Sequence, residues 1–168
     1  MNIHRFQQAF TLVELLITMA IVSIVSAIAY SSYNGYIEAT KVAAARSQIQ
    51  TLSLLIDDYY LENGYYPSNL EQIGNENLVD PWGNKYNFLN FREAASAITG
   101  LQYKHQKPDP GIIGSARKDK NLVPINTNYD LFSSGKDGKT KPPLVAKDSQ
   151  DDIIYANDGD YIGLAREF

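Results

Sequence analysis

"FTLVELLITMAIVSIVSAIAY", residues 10–30, is a run of 21 residues whose one ionisable side chain is Glu14. At 1.5 Å rise per residue a helix of that length is about 30 Å long, the thickness of the hydrocarbon core of a bilayer. Its eleven Leu, Ile, Val and Phe residues each favour insertion by roughly 0.3–0.6 kcal/mol, and together they outweigh the roughly 2.5–3.5 kcal/mol cost of one charge at mid-membrane. The segment is therefore predicted to span a membrane. Glu14 then stands where a carboxylate is rare and needs a cation. No Lys or Arg lies between residues 10 and 40, so that cation has to come from outside the segment.

Beyond Tyr30 the composition changes but helical periodicity continues to Asn63. Val42, Ala45, Ile49, Leu52, Ile56 and Tyr59 recur every three or four residues and draw one apolar stripe along an amphipathic helix, residues 31–63. Asn63-Gly64 supplies a left-handed stop, and Pro67 prevents resumption. Ser31, Ser32 and Gly35 are the weak points within the helix.

The remainder, residues 64–168, reads as an α+β head. In "YYPSNLEQIG", Ser68 and Glu71 form a capping box that starts a short helix ended by Gly74. "DPWGNKYNFLNF" predicts a turn over Asp80–Asn84 and a strand over Lys85–Phe91, with Trp82 as a core plug. Further strands are expected over Leu101–His105, Asn128–Ser133 and Tyr161–Ala165, separated by loops rich in Gly, Pro and Asn. The expected fold is a long N-terminal helix lying on a small antiparallel sheet, with long C-terminal loops.

Composition narrows the chemistry. There is no cysteine among the 168 residues, which removes disulfides, zinc-thiolate sites and cysteine nucleophiles. The net charge of −4 carries no basic block, so a nucleic-acid partner is not expected. His4 lies in the polar stretch before the apolar run and His105 in a lysine-containing strand, so no zinc cluster or histidine triad can be assembled from them, and "GIIGSARKDK" lacks the framing of a phosphate loop. No catalytic residue is assigned. "SSGKDGK" and "DSQDDIIYANDGD" gather Asp137, Asp148, Asp151, Asp152, Asp158 and Asp160 among glycines and asparagines. On the residues alone they are either solvated turn aspartates or a calcium site outside the EF-hand pattern.

The polar leader followed by "FTLVELLI" resembles the class III signal of type IV prepilins and pseudopilins. The alternatives open on the residues are a secretory signal cleaved near Ser26-Ala27-Ile28-Ala29 and a plain anchor oriented by Arg5. The resemblance implies a leader of residues 1–9, cleavage between Ala9 and Phe10 by a prepilin peptidase, and N-methylation of Phe10. It implies an assembly role for Glu14, facing the positive terminus of a neighbouring subunit. "YYLENGYYPSNLEQI", "DPWGNKYNF" and "YDLFSSGKDG" add a likeness, over most of the chain, to the major pseudopilin of type II secretion systems. The segment from about Arg92 to Asn126 is longer than that branch has between these motifs.

The same resemblance implies a structural subunit anchored once in the bacterial inner membrane, with its N-terminus cytoplasmic and its head periplasmic. Its implied partners are further copies of itself in a helical filament, the peptidase, other pseudopilins, an inner-membrane assembly platform and secreted proteins. One structural Ca2+ is implied in the C-terminal loops, held by Asp137 and Asp152, with Asp151 as an alternate and backbone oxygens from Leu131 and Ser134; Asp158 and Asp160 are substitutes. The rival within the family is a type IV pilin for adhesion, motility or DNA uptake. The rival outside it is a signal-anchored periplasmic enzyme or binding protein, which would need a ligand pocket with perturbed titratable groups.

Overall fold

The computed structural model describes residues 10–92 and 110–168. Helix α1 runs from Leu12 to Asn63. The chain divides into two compact units, one ending at Ala39 and the other spanning Thr40–Phe168. In the first unit the helix stands without cover: Leu12, Val13, Leu16, Ile17, Ile21, Val22, Val25 and Ile28 are all exposed. Two hydroxyls there are satisfied within the helix, Thr18 Oγ1 donating to the Leu15 carbonyl at 2.9 Å and Ser23 Oγ to that of Met19 at 2.8 Å. That is what a segment surrounded by hydrocarbon requires.

In the second unit the predicted stripe is the core. Ala45, Ile49, Leu52 and Ile56 are fully buried and Val42 is partly so. Tyr59, expected at the end of the stripe, is only half-buried and packs edge-on against Tyr65 with ring centres 5.8 Å apart. Gly64 closes the helix at φ +78°, its N–H reaching the Tyr60 carbonyl at 2.8 Å. The short helix after it is a 3-10 turn, Leu70–Ile73, ended by Gly74 at φ +74°. Its cap is Asn69, whose Oδ1 accepts from the N–H groups of Glu71 and Gln72. Ser68, expected in that role, sits one residue too early, and its N–H instead donates to Gln72 Oε1 at 2.8 Å.

Four strands form one antiparallel sheet in chain order: β1 (Asn87–Asn90), β2 (Tyr129–Ser133), β3 (Ile153–Ala156) and β4 (Tyr161–Leu164). Phe88 pairs with Leu131, Phe132 with Ile154, and Tyr155 with Ile162. β1, β2 and β4 fall within their predicted ranges. β1 starts late because Lys85 is taken by a separate bridge with Val79 across the Asp80–Asn84 turn. The predicted strand Leu101–His105 lies outside the described residues. β3 is not among the strands expected from sequence, and its four residues are buried on both faces.

The sheet is covered twice. Tyr129, Leu131, Ile153, Tyr155 and Leu164 face α1, with Trp82 and Phe88 packed at the margin. Phe132, Ile154 and Ala156 form a second cluster with Ile125, Leu144 and Ala165, drawn from the segments before and after β2 and from the chain end. A one-turn helix α2, Pro110–Ile113, opens the segment before β2. The turn after Val79 is fastened to the loop after β2. Asp80 accepts from the N–H groups of Trp82 and Asn84 and from Ser133 Oγ, while Asn84 Nδ2 donates to the Gly135 carbonyl at 2.8 Å.

Candidate functional site

Two places carry the residues that the sequence singles out. At the N-terminal end of α1, Phe10 is exposed and precedes the helix; Ala9 and the leader lie outside the described residues. Thr11 and Glu14 close a reciprocal cap. Glu14 Oε2 accepts from the Thr11 N–H at 2.9 Å and from Thr11 Oγ1 at 2.8 Å, and the Glu14 N–H returns to Thr11 Oγ1 at 3.3 Å. The Thr-x-x-Glu spacing of a capping box is the local signal that could have announced this contact. It fixes the carboxylate beside Phe10 at the positive end of the helix. Among the described residues nothing cationic reaches Glu14, so its charge is aimed outward with only hydrogen bonds to hold it.

The second place is the C-terminal loop system, where the resemblance puts calcium. Of the five residues named for it, Asp137 and Asp151 are in contact, while the Asp152 carboxylate is committed to a different partner. Leu131 is buried in β2, paired with Phe88. Ser134 Oγ accepts from Asn87 Nδ2 at 2.9 Å. Asp137 uses Oδ1 to cap the Lys139 N–H at 2.8 Å, and its own N–H donates to Asp151 Oδ2 at 3.0 Å. Asp152 is fully buried and bound to the guanidinium of Arg117, with Thr140 Oγ1 donating to the same oxygen at 2.6 Å. The substitute Asp158 has both oxygens engaged by Thr127, through its N–H at 2.8 Å and its hydroxyl at 2.5 Å. Asp148 is ion-paired to Lys141 at 2.8 Å, and that partner lowers its pKa. Among the described residues no three acidic or histidine side chains gather around one point. Calcium needs six to eight oxygens on one centre, and this arrangement does not fit it.

What the loops do assemble is a buried network around Arg117. Its side chain is 3% exposed. Nη1 donates to Thr140 Oγ1 at 2.5 Å and to the Lys141 carbonyl at 2.7 Å, Nη2 donates to Asp152, and the guanidinium carbon lies 4.4 Å over the Phe132 ring. The Arg117 N–H donates to Asp130 Oδ2 at 2.5 Å, and Asn126 Nδ2 donates to the other oxygen of Asp130. Burial lifts the Asp130 carboxyl to about 6 against the pull of those donors. Burial also raises the Asp152 carboxyl, with Arg117 opposing it. In the sequence Arg117 belongs only to a loop unsuited to phosphate. A single basic residue in such a loop gives no signal of burial.

The concavities offer little chemistry. The groove of about 520 Å³ between the segment from Leu122 to Thr127 and the turn at Asn157 and Asp158 is open and mixed in polarity. Among its described lining residues the one carboxylate is Asp158, already occupied by Thr127.

Comparison with known proteins gives a family match and relatives that run along most of the chain. Residues 4–30 match the model of the prokaryotic N-terminal methylation motif. The type II secretion system core protein G of Pseudomonas aeruginosa is 30% identical over 109 residues, covering 51% of this chain and 75% of that protein. The type IV major fimbrial protein FimA of Dichelobacter nodosus is 30% identical over 143 residues, covering 83% of this chain and 75% of its own. The type IV major pilin protein PilE of Neisseria gonorrhoeae is 25% identical over 165 residues, covering 93% and 89%. No solved structure matches.

Proposed function

The chain belongs to the type IV prepilin family, which takes in both pilins and the pseudopilins of type II secretion, and from that premise we propose that it is a pseudopilin: a structural subunit polymerised in the periplasm to support protein secretion. A prepilin peptidase cuts between Ala9 and Phe10 and methylates the Phe10 amine. The subunit crosses the inner membrane once, with Arg5 on the cytoplasmic side in keeping with the positive-inside rule. Copies then associate through the uncovered half of α1.

One observation carries this reading. An exposed apolar helix presents a single carboxylate, Glu14, with no cation beside it among the described residues. In lipid that charge is costly until a partner arrives, and the new amine of a neighbour's Phe10 is a cation of the required kind. Pairing in a low dielectric is stronger than at a wet surface, so assembly and charge relief are coupled.

The test separates the charge from the cap. Glu14→Gln can keep the capping box, since a Gln side chain accepts the same bonds, yet it loses the charge. Glu14→Ala loses both. The variants are expected to insert normally, and cross-linking in membranes is expected to give monomers in place of oligomer ladders for both. Intact mass of the same material reads the cut after Ala9 and the methyl group. Unchanged ladders for Glu14→Gln would remove Glu14 as an assembly contact.

A second reading within the family is a type IV pilin, favoured by the pilin alignment that runs over 93% of the chain against 51% for the secretion protein. Deletion of the gene decides between them. A pseudopilin's loss blocks export while surface fibres persist, and a pilin's loss does the reverse.

A further inference from the structure

The C-terminal loops do hold a buried cation, and it is covalently part of the chain. We propose that the guanidinium of Arg117 fastens these loops in the role a structural metal ion would otherwise fill, so that the stability of the Thr40–Phe168 unit is independent of divalent cations.

Arg117 reaches into three separate stretches. It binds Asp152 at the entrance to β3, and Thr140 and the Lys141 carbonyl in the long connection between β2 and β3; its face rests on Phe132 of β2. The neighbouring backbone takes the same path, Lys118 N–H donating to the Pro142 carbonyl at 3.0 Å and Leu144 N–H to that of Lys118 at 2.9 Å. The Arg117 carbonyl accepts from the Ile125 N–H at 3.1 Å. A planar cation with five donors can bridge acceptors in several directions at once, as a multivalent ion does, and it remains charged at any working pH.

The same geometry excludes a competing ion. A divalent cation on Asp152 would lie within a few ångström of a fixed positive charge, in a site nearly free of solvent. The single oxygen of Asp152 without a hydrogen-bond partner, Oδ1, is one ligand where six are needed. Arg117 and its backbone come from the segment between β1 and β2, the stretch longer than the pseudopilin pattern.

The experiment uses the full chain in detergent. Its melting temperature is measured in chelator and in millimolar calcium, and calcium binding is measured directly by titration calorimetry. The two melting temperatures are expected to agree within about one degree, with no heat of binding. Arg117→Gln removes the cation and leaves Asp152 buried and unpaired; its melting temperature is expected to fall by on the order of 10 °C, with no recovery on adding calcium. Arg117→Lys keeps the charge but cannot span the three acceptors, and an intermediate loss is expected. A melting temperature of the unaltered chain that climbs with calcium would overturn the proposal, as would an Arg117→Gln chain as stable as the parent. If Arg117→Gln does not fold, the calcium measurements on the unaltered chain still decide. Filament assembly through Glu14 is read separately, so failure here leaves that reading standing.

Discussion

The contrast between Ile49 and Leu54 tests the placement of α1 on the sheet. Both are aliphatic residues of the same helix, but Ile49 is 0% exposed and Leu54 is 65% exposed. Ile49→Ala removes three carbon groups from the core, which at about 0.8 kcal/mol each is about 2.4 kcal/mol of lost transfer energy. Its cluster neighbours Leu131, Ile153 and Leu164 are held in hydrogen-bonded strands, so the space left behind cannot collapse fully. A cavity contribution then brings the total to about 3–4 kcal/mol. Leu54→Ala removes a side chain already in water and is expected to change stability by no more than about 0.5 kcal/mol. Urea unfolding of the full chain in detergent, followed by tryptophan fluorescence of Trp82, measures both. The midpoint is expected to move for Ile49→Ala with the slope unchanged. Equal effects at the two positions, or a loss below about 1 kcal/mol at Ile49, would refute the stripe as the core face.

The loops and the buried acids give two more expected outcomes. Gly135 has φ +63°, and a Cβ there would overlap the Asp151 carbonyl oxygen; Gly135→Ala is expected to cost about 3 kcal/mol or more in the same unfolding assay, whereas Gly64→Ala, with open space around it, costs about 1 kcal/mol. Asp130 titrates near 6 when folded against an ordinary value of 3.8, so the folded state binds the extra proton; its contribution is fully present below about pH 4 and is lost as pH rises through 6, by about 3 kcal/mol. Stability measured from pH 4 to 7 is expected to fall with at least that slope, and Asp130→Asn to reduce it, the part that remains being due to Asp152, whose carboxyl burial also raises.

Much of the fold is legible because its signals are local. The stripe from Val42 to Ile56 has helical period, Gly64 and Pro67 mark its stop, and Asp80 to Asn84 carry turn chemistry whose bonds the structure displays. β3 escapes such reading because its period is absent. Ile153 to Ala156 is buried on both faces and so reads as a short unbroken apolar run, which periodicity cannot classify. Its flanks of Asp151, Asp152, Asn157 and Asp158 have the composition of a metal loop. The same flanks are spent on specific non-local partners, Arg117 for Asp152 and Thr127 for Asp158. Those pairings join residues 35 and 31 positions apart, and nothing in the spacing of either member announces the other. At the N-terminus the difficulty is of a different kind: Thr11 and Glu14 have a recognised local signature, masked because a carboxylate in an apolar run draws attention first as a charge in lipid.

The order of the elements along the chain has a bearing on synthesis. The buried stripe of α1 ends at Ile56, and the strands that complete its cover, β3 and β4, lie between Ile153 and Leu164. About a hundred residues must be made after the stripe before its cover exists, which at roughly 5–20 residues per second is on the order of 5–20 s. During that interval Ile49, Leu52 and Ile56 are a sticky surface tethered beside a membrane. A nascent chain of this design is at its most vulnerable to aggregation and proteolysis just before completion, and a chain halted short of β3 never leaves that state.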